Sequence, residues 1–278
     1  MEFMKKLFKR DSNALYDETP SQMQAIVGFL VGFLGYMYIF PWILSVIVVA
    51  IKEAISGPIL PEEVNFYNIL IQDVCGIITL LIMFLAISFK KVRNIIKNIN
   101  WYSFALSIMY FLISLALLMV WNAISVAIWG EPEVNANQSS INQLMSEQPV
   151  LTIMLTCLIA PLIEEMIFRY YLYKGLEDYN PVIAIVVTTF LFAFIHLGAS
   201  ISEGTFVEDL KTLPNYLIPS LIMTISYYKH HKLCVSVMTH MAFNIHSTIG
   251  FFLLQALEEL ESAPEVVETI ARWITIIG

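Results

Sequence analysis

Long apolar runs separated by short charged ones set the rhythm of this chain. Mostly apolar stretches near the length of about 20 residues that a membrane-spanning helix needs recur at 24–51, 66–89, 101–128, 150–173, 182–198, 213–228 and 233–254. The pattern predicts an all-α, polytopic membrane bundle of seven helices. The fifth and sixth stretches are short, so they are expected to tilt or to be buried among the others. A last apolar segment, 266–277, is too short to cross by itself, which leaves an interfacial helix or an eighth span open. No internal repeat or linker divides the chain. It reads as a cytoplasmic tail, 1–23, followed by one membrane domain, 24–278, with its chemistry concentrated at about 150–254.

Composition supports this reading. Of 278 residues 58% are apolar and only 14% charged, with mean hydropathy +0.72. A soluble domain carries about a quarter charged residues, so a soluble globular domain is excluded, and nothing in the chain points to nucleic acid. The three cysteines, Cys75, Cys157 and Cys234, lie within apolar runs without metal-ligand or disulfide spacing and read as small packing residues. The basic start MEFMKKLFKR precedes an apolar run too long for a cleaved leader, so it reads as a retained signal anchor.

Loop charges orient the bundle. If the seven spans alternate, Lys5, Lys6, Lys9, Arg10, Lys90, Lys91, Arg93, Lys97, Lys174, Lys229 and Lys232 all fall on one side. Only Lys52, Lys211 and Arg272 fall on the other, amid a surplus of acidic residues. The excess of basic loop residues marks the cytoplasmic side, which places the N-terminus in the cytoplasm. Asp73 reads as lying near the outer edge of its span, where interfacial water solvates it. His230 and His231 read as solvated loop residues.

Polar groups inside the spans carry the chemistry. Glu164, Glu165 and Arg169 interrupt the run LTIMLTCLIAPLIEEMIFRYYLYKG, where each charge costs at least about 2.5 kcal/mol on insertion scales. Glu165 and Arg169 are four apart in the favourable Glu-before-Arg order, so an ion pair is expected. Glu164 is rotated by about 100° and escapes that pair, leaving one carboxylate to anchor and its neighbour to act as a base. Pro161 lacks a backbone N–H and is expected to kink the helix toward a cavity. His196 closes FAFIH one turn after Phe192, while His240 and Asn244 share a helix face in HMAFN. At 1.5 Å per residue the depths are roughly 15 Å for Glu164, 22 Å for His196, 10 Å for His240 and 17 Å for Asn244, which suits one cluster near mid-membrane. Each histidine or amide taken singly is equally well explained as interhelical glue. The conjunction is what argues for a site.

Together EEMIFR at 164–169, FAFIH at 192–196 and HMAFN at 240–244 resemble the CAAX-protease and bacteriocin-processing (CPBP, or Abi) family of intramembrane proteases. The family pattern is Glu-Glu-x-x-x-Arg, Phe-x-x-x-His and His-x-x-x-Asn/Asp on successive membrane helices, and the resemblance covers roughly 150–250. It implies a glutamate-dependent intramembrane endopeptidase acting on membrane-associated or peptide substrates. Glu164 would be the general base that activates water with His196, while His240 and Asn244 would steady the water or the oxyanion. Glu165 and Arg169 would brace the first helix. Members have often been called metalloproteases, and Glu164, His196 and His240 could in principle hold zinc, but no HExxH pair is present and the metal-free mechanism is favoured. A multi-pass protein of a bacterial plasma membrane is expected.

Two other classes compete. Some members of the superfamily act through a membrane partner such as a sensor kinase, without needing catalysis. Intramembrane Glu and His also mark proton or ion paths, although no inverted repeat or paired broken helices accompany them here.

Overall fold

The computed structural model describes residues 20–130 and 134–261. Most of the expected tail and all of the 266–277 segment lie outside the described residues. Among those described there is helix and no strand. The long helices are α1 (Gln22–Ser56), α2 (Pro61–Leu85), α4 (Trp101–Trp129), α6 (Pro149–Glu177) and α11 (Leu233–Glu261). Between them lie α3 (Phe89–Lys97), α5 (Ala136–Glu147), α7 (Pro181–Ile195), α8 (Gly198–Glu203), α9 (Phe206–Asp209) and α10 (Leu213–His230). Each of the seven expected spans is helical over most of its length. Among the described residues five helices are long and apolar enough to cross a membrane by length and composition, and α7 is a shorter apolar one. The chain divides into two units, Met1–Ala242 and Phe243–Gly278, so α11 begins in the first and its later residues belong to the second.

Capping groups end the runs where hydropathy alone does not. Ser21 and Gln24 form a reciprocal box at the start of α1, Asn100 caps α4, and Asn180 followed by Pro181 starts α7. Ser88 accepts from Lys91 N–H and starts α3 as a separate helix, so the expected span 66–89 ends instead at Leu85.

The core of the first unit is built around α6. Ile163, Met166, Ile167, Phe168, Tyr170, Tyr171 and Tyr173 are all fully buried, and α1, α2, α7 and α10 pack against this helix. Elsewhere large apolar side chains stand exposed along the spans, as contact with lipid requires. α6 is not a regular α-helix. It is π-helical at Leu155–Ile159, α-helical at Ala160–Glu165 and π-helical again at Met166–Tyr173. Pro161, with no N–H to donate, sits just past the first widened turn, and such π segments recur at functional sites.

Backbone proximity positions α2 against α6. A Cβ added at Gly76 would overlap the Ile159 side chain and stand 3.2 Å from Ile163 Cδ1. Gly76→Val should therefore destabilise the first unit by about 1–3 kcal/mol through overpacking. Gly198→Ala should not, since nothing lies within 4 Å of its added Cβ. Thermal unfolding of the detergent-solubilised variants checks this, and equal midpoints would refute the close approach.

At the far end of α4 from α3, Asp209 ties three short helices together. Its Oδ2 accepts from Ser200 Oγ (2.6 Å), Thr205 Oγ1 (3.0 Å) and Ala136 N–H (3.2 Å). Burial alone raises this carboxyl, but those hydrogen bonds and the Lys211 charge outweigh it and hold it below the usual carboxylate range. A folded value below the unfolded one stabilises the fold above about pH 4, and that contribution is lost as pH falls through the lowered value. Acid unfolding of wild type should show this loss, and Asp209→Asn should remove it.

Candidate active site

α6, the C-terminal end of α7, α10 and the first part of α11 bring six polar residues to one place: Glu164, Glu165, Arg169, His196, Ser220 and His240. Glu165 is fully buried, and its Oε1 accepts from Arg169 Nη1 at 2.9 Å, the expected (i, i+4) pair, and from His240 Nδ1 at 3.0 Å. Arg169 is equally buried. Its Nη2 donates to the Ser220 carbonyl (3.1 Å) and Oγ (3.0 Å) on α10, and its guanidinium lies 4.4 Å over the Phe192 ring. Each charge in this pair is thus matched by an opposite one and hydrogen-bonded through Glu165 Oε1 and both Arg169 Nη atoms, while Glu165 Oε2 and Arg169 Nε are buried without a hydrogen-bond partner.

Glu164 faces elsewhere. Its Oε2 is buried with no hydrogen-bond partner, 3.9 Å from His196 Nε2 and 3.8 Å from His240 Nε2. Partner chemistry settles which nitrogens carry protons. His196 Nδ1 lies 2.8 Å from the Phe192 carbonyl and His240 Nδ1 lies 3.0 Å from a carboxylate, and both partners only accept. Both Nδ1 atoms must therefore donate, and in the neutral imidazoles both Nε2 atoms are lone pairs turned toward Glu164. Three acceptors converge across gaps too long for direct hydrogen bonds and suited to a small donor such as water.

Aromatic rings hold the imidazoles in place. Phe192 lies 4.8 Å from the His196 ring and 5.5 Å from His240, while Tyr216 stacks on His196 at 4.7 Å and 24°. Tyr36 of α1 is buried within electrostatic reach of Glu164 and Asp73. Tyr36, Tyr216 and Ser220 were not singled out from sequence. Their only signal is that Tyr216 and Ser220 are four apart, which in an apolar helix marks nothing by itself. Asn244 follows His240 by four residues in α11 and belongs to the second unit.

Two sequence expectations are corrected. Asp73 is not at a wetted edge: it is 4% exposed, both carboxylate oxygens are buried without a hydrogen-bond partner, and it lies roughly 18 Å along α2 from Pro61. The helix starts five residues before its apolar run, which moves Asp73 inward. His231 is also buried, 3.3 Å from Glu177, while His230 Nε2 contacts Tyr110 Oη at 3.0 Å. Charged neighbours in sequence suggested solvent, but the turn between α10 and α11 folds back onto α4 and α6.

Zinc fits this constellation poorly. Among the described residues no group of three His, Cys, Asp or Glu side chains is disposed to hold a metal ion. The separations of 3.8 and 3.9 Å exceed the roughly 3.3 Å expected between ligands of a tetrahedral zinc.

Fold and site define an all-α, multi-pass membrane protein with a carboxylate–histidine cluster buried in its bundle. Residues 146–246 match the family described as "Type II CAAX prenyl endopeptidase Rce1-like", and all three motifs fall within the matched segment. That segment is therefore similar to domains of the CAAX-protease type, in agreement with the resemblance of those motifs. Two relatives come from Lactococcus lactis subsp. lactis (strain IL1403). The UPF0177 protein YvdC is 24% identical over 180 residues, 64% of this chain and 66% of its own length. The UPF0177 protein YxdF is 31% identical over 103 residues, 37% of this chain and 51% of its own. The chain thus spans about two thirds and one half of these relatives. No solved structure matches it.

Proposed function

We propose that this protein is an intramembrane endopeptidase in which Glu164 is the general base toward water. The observation that carries the reading is the partnerless Glu164 Oε2 facing two imidazole lone pairs. A water there donates one proton to Glu164 and the other to His196 Nε2, which turns its own lone pair toward a peptide carbonyl. As the oxygen attacks, its proton passes to Glu164, and the carbonyl oxygen takes the negative charge. His240, fixed at Nδ1 by Glu165, would steady the water through its Nε2 lone pair. The proton held by Glu164 then goes to the leaving amine as the C–N bond breaks. Glu165 and Arg169 would serve as positioning residues.

The substrate would be a peptide or protein segment that reaches the cluster from the bilayer. The poor fit to zinc favours a metal-free reaction, so purified enzyme should keep its activity after thorough chelation. Loss of activity restored by one equivalent of zinc would refute this. The experiment that tests the function compares peptides from cells carrying wild type and Glu164→Gln. A cleavage product absent from the variant supports the protease. A cellular phenotype fully retained by Glu164→Gln would place the function in binding a membrane partner instead.

The charge asymmetry and the Lactococcus relatives support a bacterial plasma membrane with a cytoplasmic N-terminus. Lys97 and Ser139 are exposed at opposite ends of α4, and the native cysteines are buried. In a cysteine-free background, Ser139→Cys should react with an impermeant reagent on intact cells and Lys97→Cys should not. Equal labelling would overturn this orientation.

A further inference from the structure

A cavity of about 360 Å³ lies at the end of α4 remote from α3, lined by Asn122 and Ser125 of α4, Gln138 of α5, and Lys211, Asn215 and Tyr216 around the start of α10. Its size is at the lower end of ligand pockets, enough for a few residues of peptide. Three observations give it a role. First, Asn122 and Ser125 are three apart on one face of a membrane-length helix, with Asn122 roughly 10 Å inside its Trp129 end. Polar side chains at that depth are rare unless they face a polar space, and here they face one. Second, Asn215 Oδ1 is buried and has no hydrogen-bond partner, an acceptor in the cavity wall that matches a peptide N–H. Third, Tyr216 is a wall common to the cavity and the catalytic cluster. Its hydroxyl donates to Asn135 (3.1 Å) and accepts from Asn137 (3.2 Å), while its ring stacks on His196. One aromatic ring therefore separates the cavity from the imidazole that faces Glu164. The described lining carries amides and hydroxyls beside the apolar Trp129 and Val134, with one cation, Lys211.

We propose that this cavity is the subsite that takes the hydrophilic peptide segment beside the scissile bond, and that Lys211 makes it select acidic over basic side chains. This rests on the endopeptidase reading. A bound segment lies with its backbone N–H groups toward Asn215 and its acidic side chains toward Lys211, so the adjoining apolar stretch extends toward the cluster.

The test uses the full chain in liposomes of neutral lipid. Its probes are reporter peptides with one apolar membrane segment followed by a polar flank in Asp, Asn or Lys versions. For wild type, KM should be lowest for the Asp flank and about tenfold higher for the Lys flank, with kcat within twofold. Lys211→Glu should reverse that order, and Ser125→Trp, which fills the cavity, should raise KM about tenfold for every flank. Binding of the same probes to Glu164→Gln, read by fluorescence anisotropy, should follow the same order and the same response to Lys211→Glu. Thermal unfolding midpoints matching wild type show that each variant is folded. Cleavage with equal KM across all flanks, unchanged in Lys211→Glu, overturns the subsite while leaving the protease intact. So does activity that follows added anionic lipid instead of the flank, which marks a headgroup site. Flank-selective, Lys211-dependent binding without cleavage in wild type keeps the subsite and removes the endopeptidase reading.

Discussion

Glu164→Gln should lower kcat/KM for peptide cleavage by at least about 10³-fold while leaving the protein folded. General-base catalysis is worth about 10²–10⁴, and this substitution removes the carboxylate oxygen that faces both Nε2 atoms. Gln is near-isosteric, and Glu164 Oε2 has no hydrogen-bond partner to lose, so the unfolding midpoint should stay within a few degrees of wild type. His196→Ala should cost a comparable factor by removing the imidazole that orients the water. Cleavage of a membrane-anchored reporter by purified enzyme measures both effects. Near-wild-type turnover by the Glu164 variant would end the general-base assignment.

The second large effect concerns folding. Glu165→Gln leaves Arg169 without its counter-charge in a fully buried site, and Arg169→Met strands Glu165. Removing one partner of a buried ion pair costs about 3–5 kcal/mol, whereas removing both charges together is often close to neutral. Each single variant should therefore lose most of its folded yield, and the double variant Glu165→Gln/Arg169→Met should recover a large part of it. Activity should not return with folding, because the carboxylate that fixes His240 at Nδ1 has gone. Single variants with wild-type midpoints would show that the pair contributes little to the fold. Recovered activity in the double variant would refute the positioning role of Glu165.

The contrast between these two carboxylates was partly legible in the sequence. Adjacent residues on a helix point about 100° apart, so Glu164 and Glu165 had to meet different surroundings. The (i, i+4) rule named Arg169 as the partner of Glu165, and the pair forms. Helical spacing within one segment could not show that His240 Nδ1 rests on the same Glu165 oxygen, or that Ser220 receives the other arm of Arg169. Those contacts join residues 75 and 51 positions apart. Asp73 and His231 failed for the same reason: hydropathy grades exposure along a segment, while burial depends on what packs from outside it.

Hydropathy over windows of about 20 residues was sufficient to establish a helical membrane bundle, because in hydrocarbon every backbone polar group must be satisfied within its own segment. Local spacing likewise determined the Glu165–Arg169 pair and the separation of Glu164 from it. Tertiary packing alone decided that both imidazoles turn their Nε2 lone pairs to one carboxylate oxygen, that Tyr216 backs His196, and that a polar cavity opens behind that ring. These are meetings of helices distant in sequence, and their geometry follows from how side chains of different segments fill shared space, which no single segment encodes.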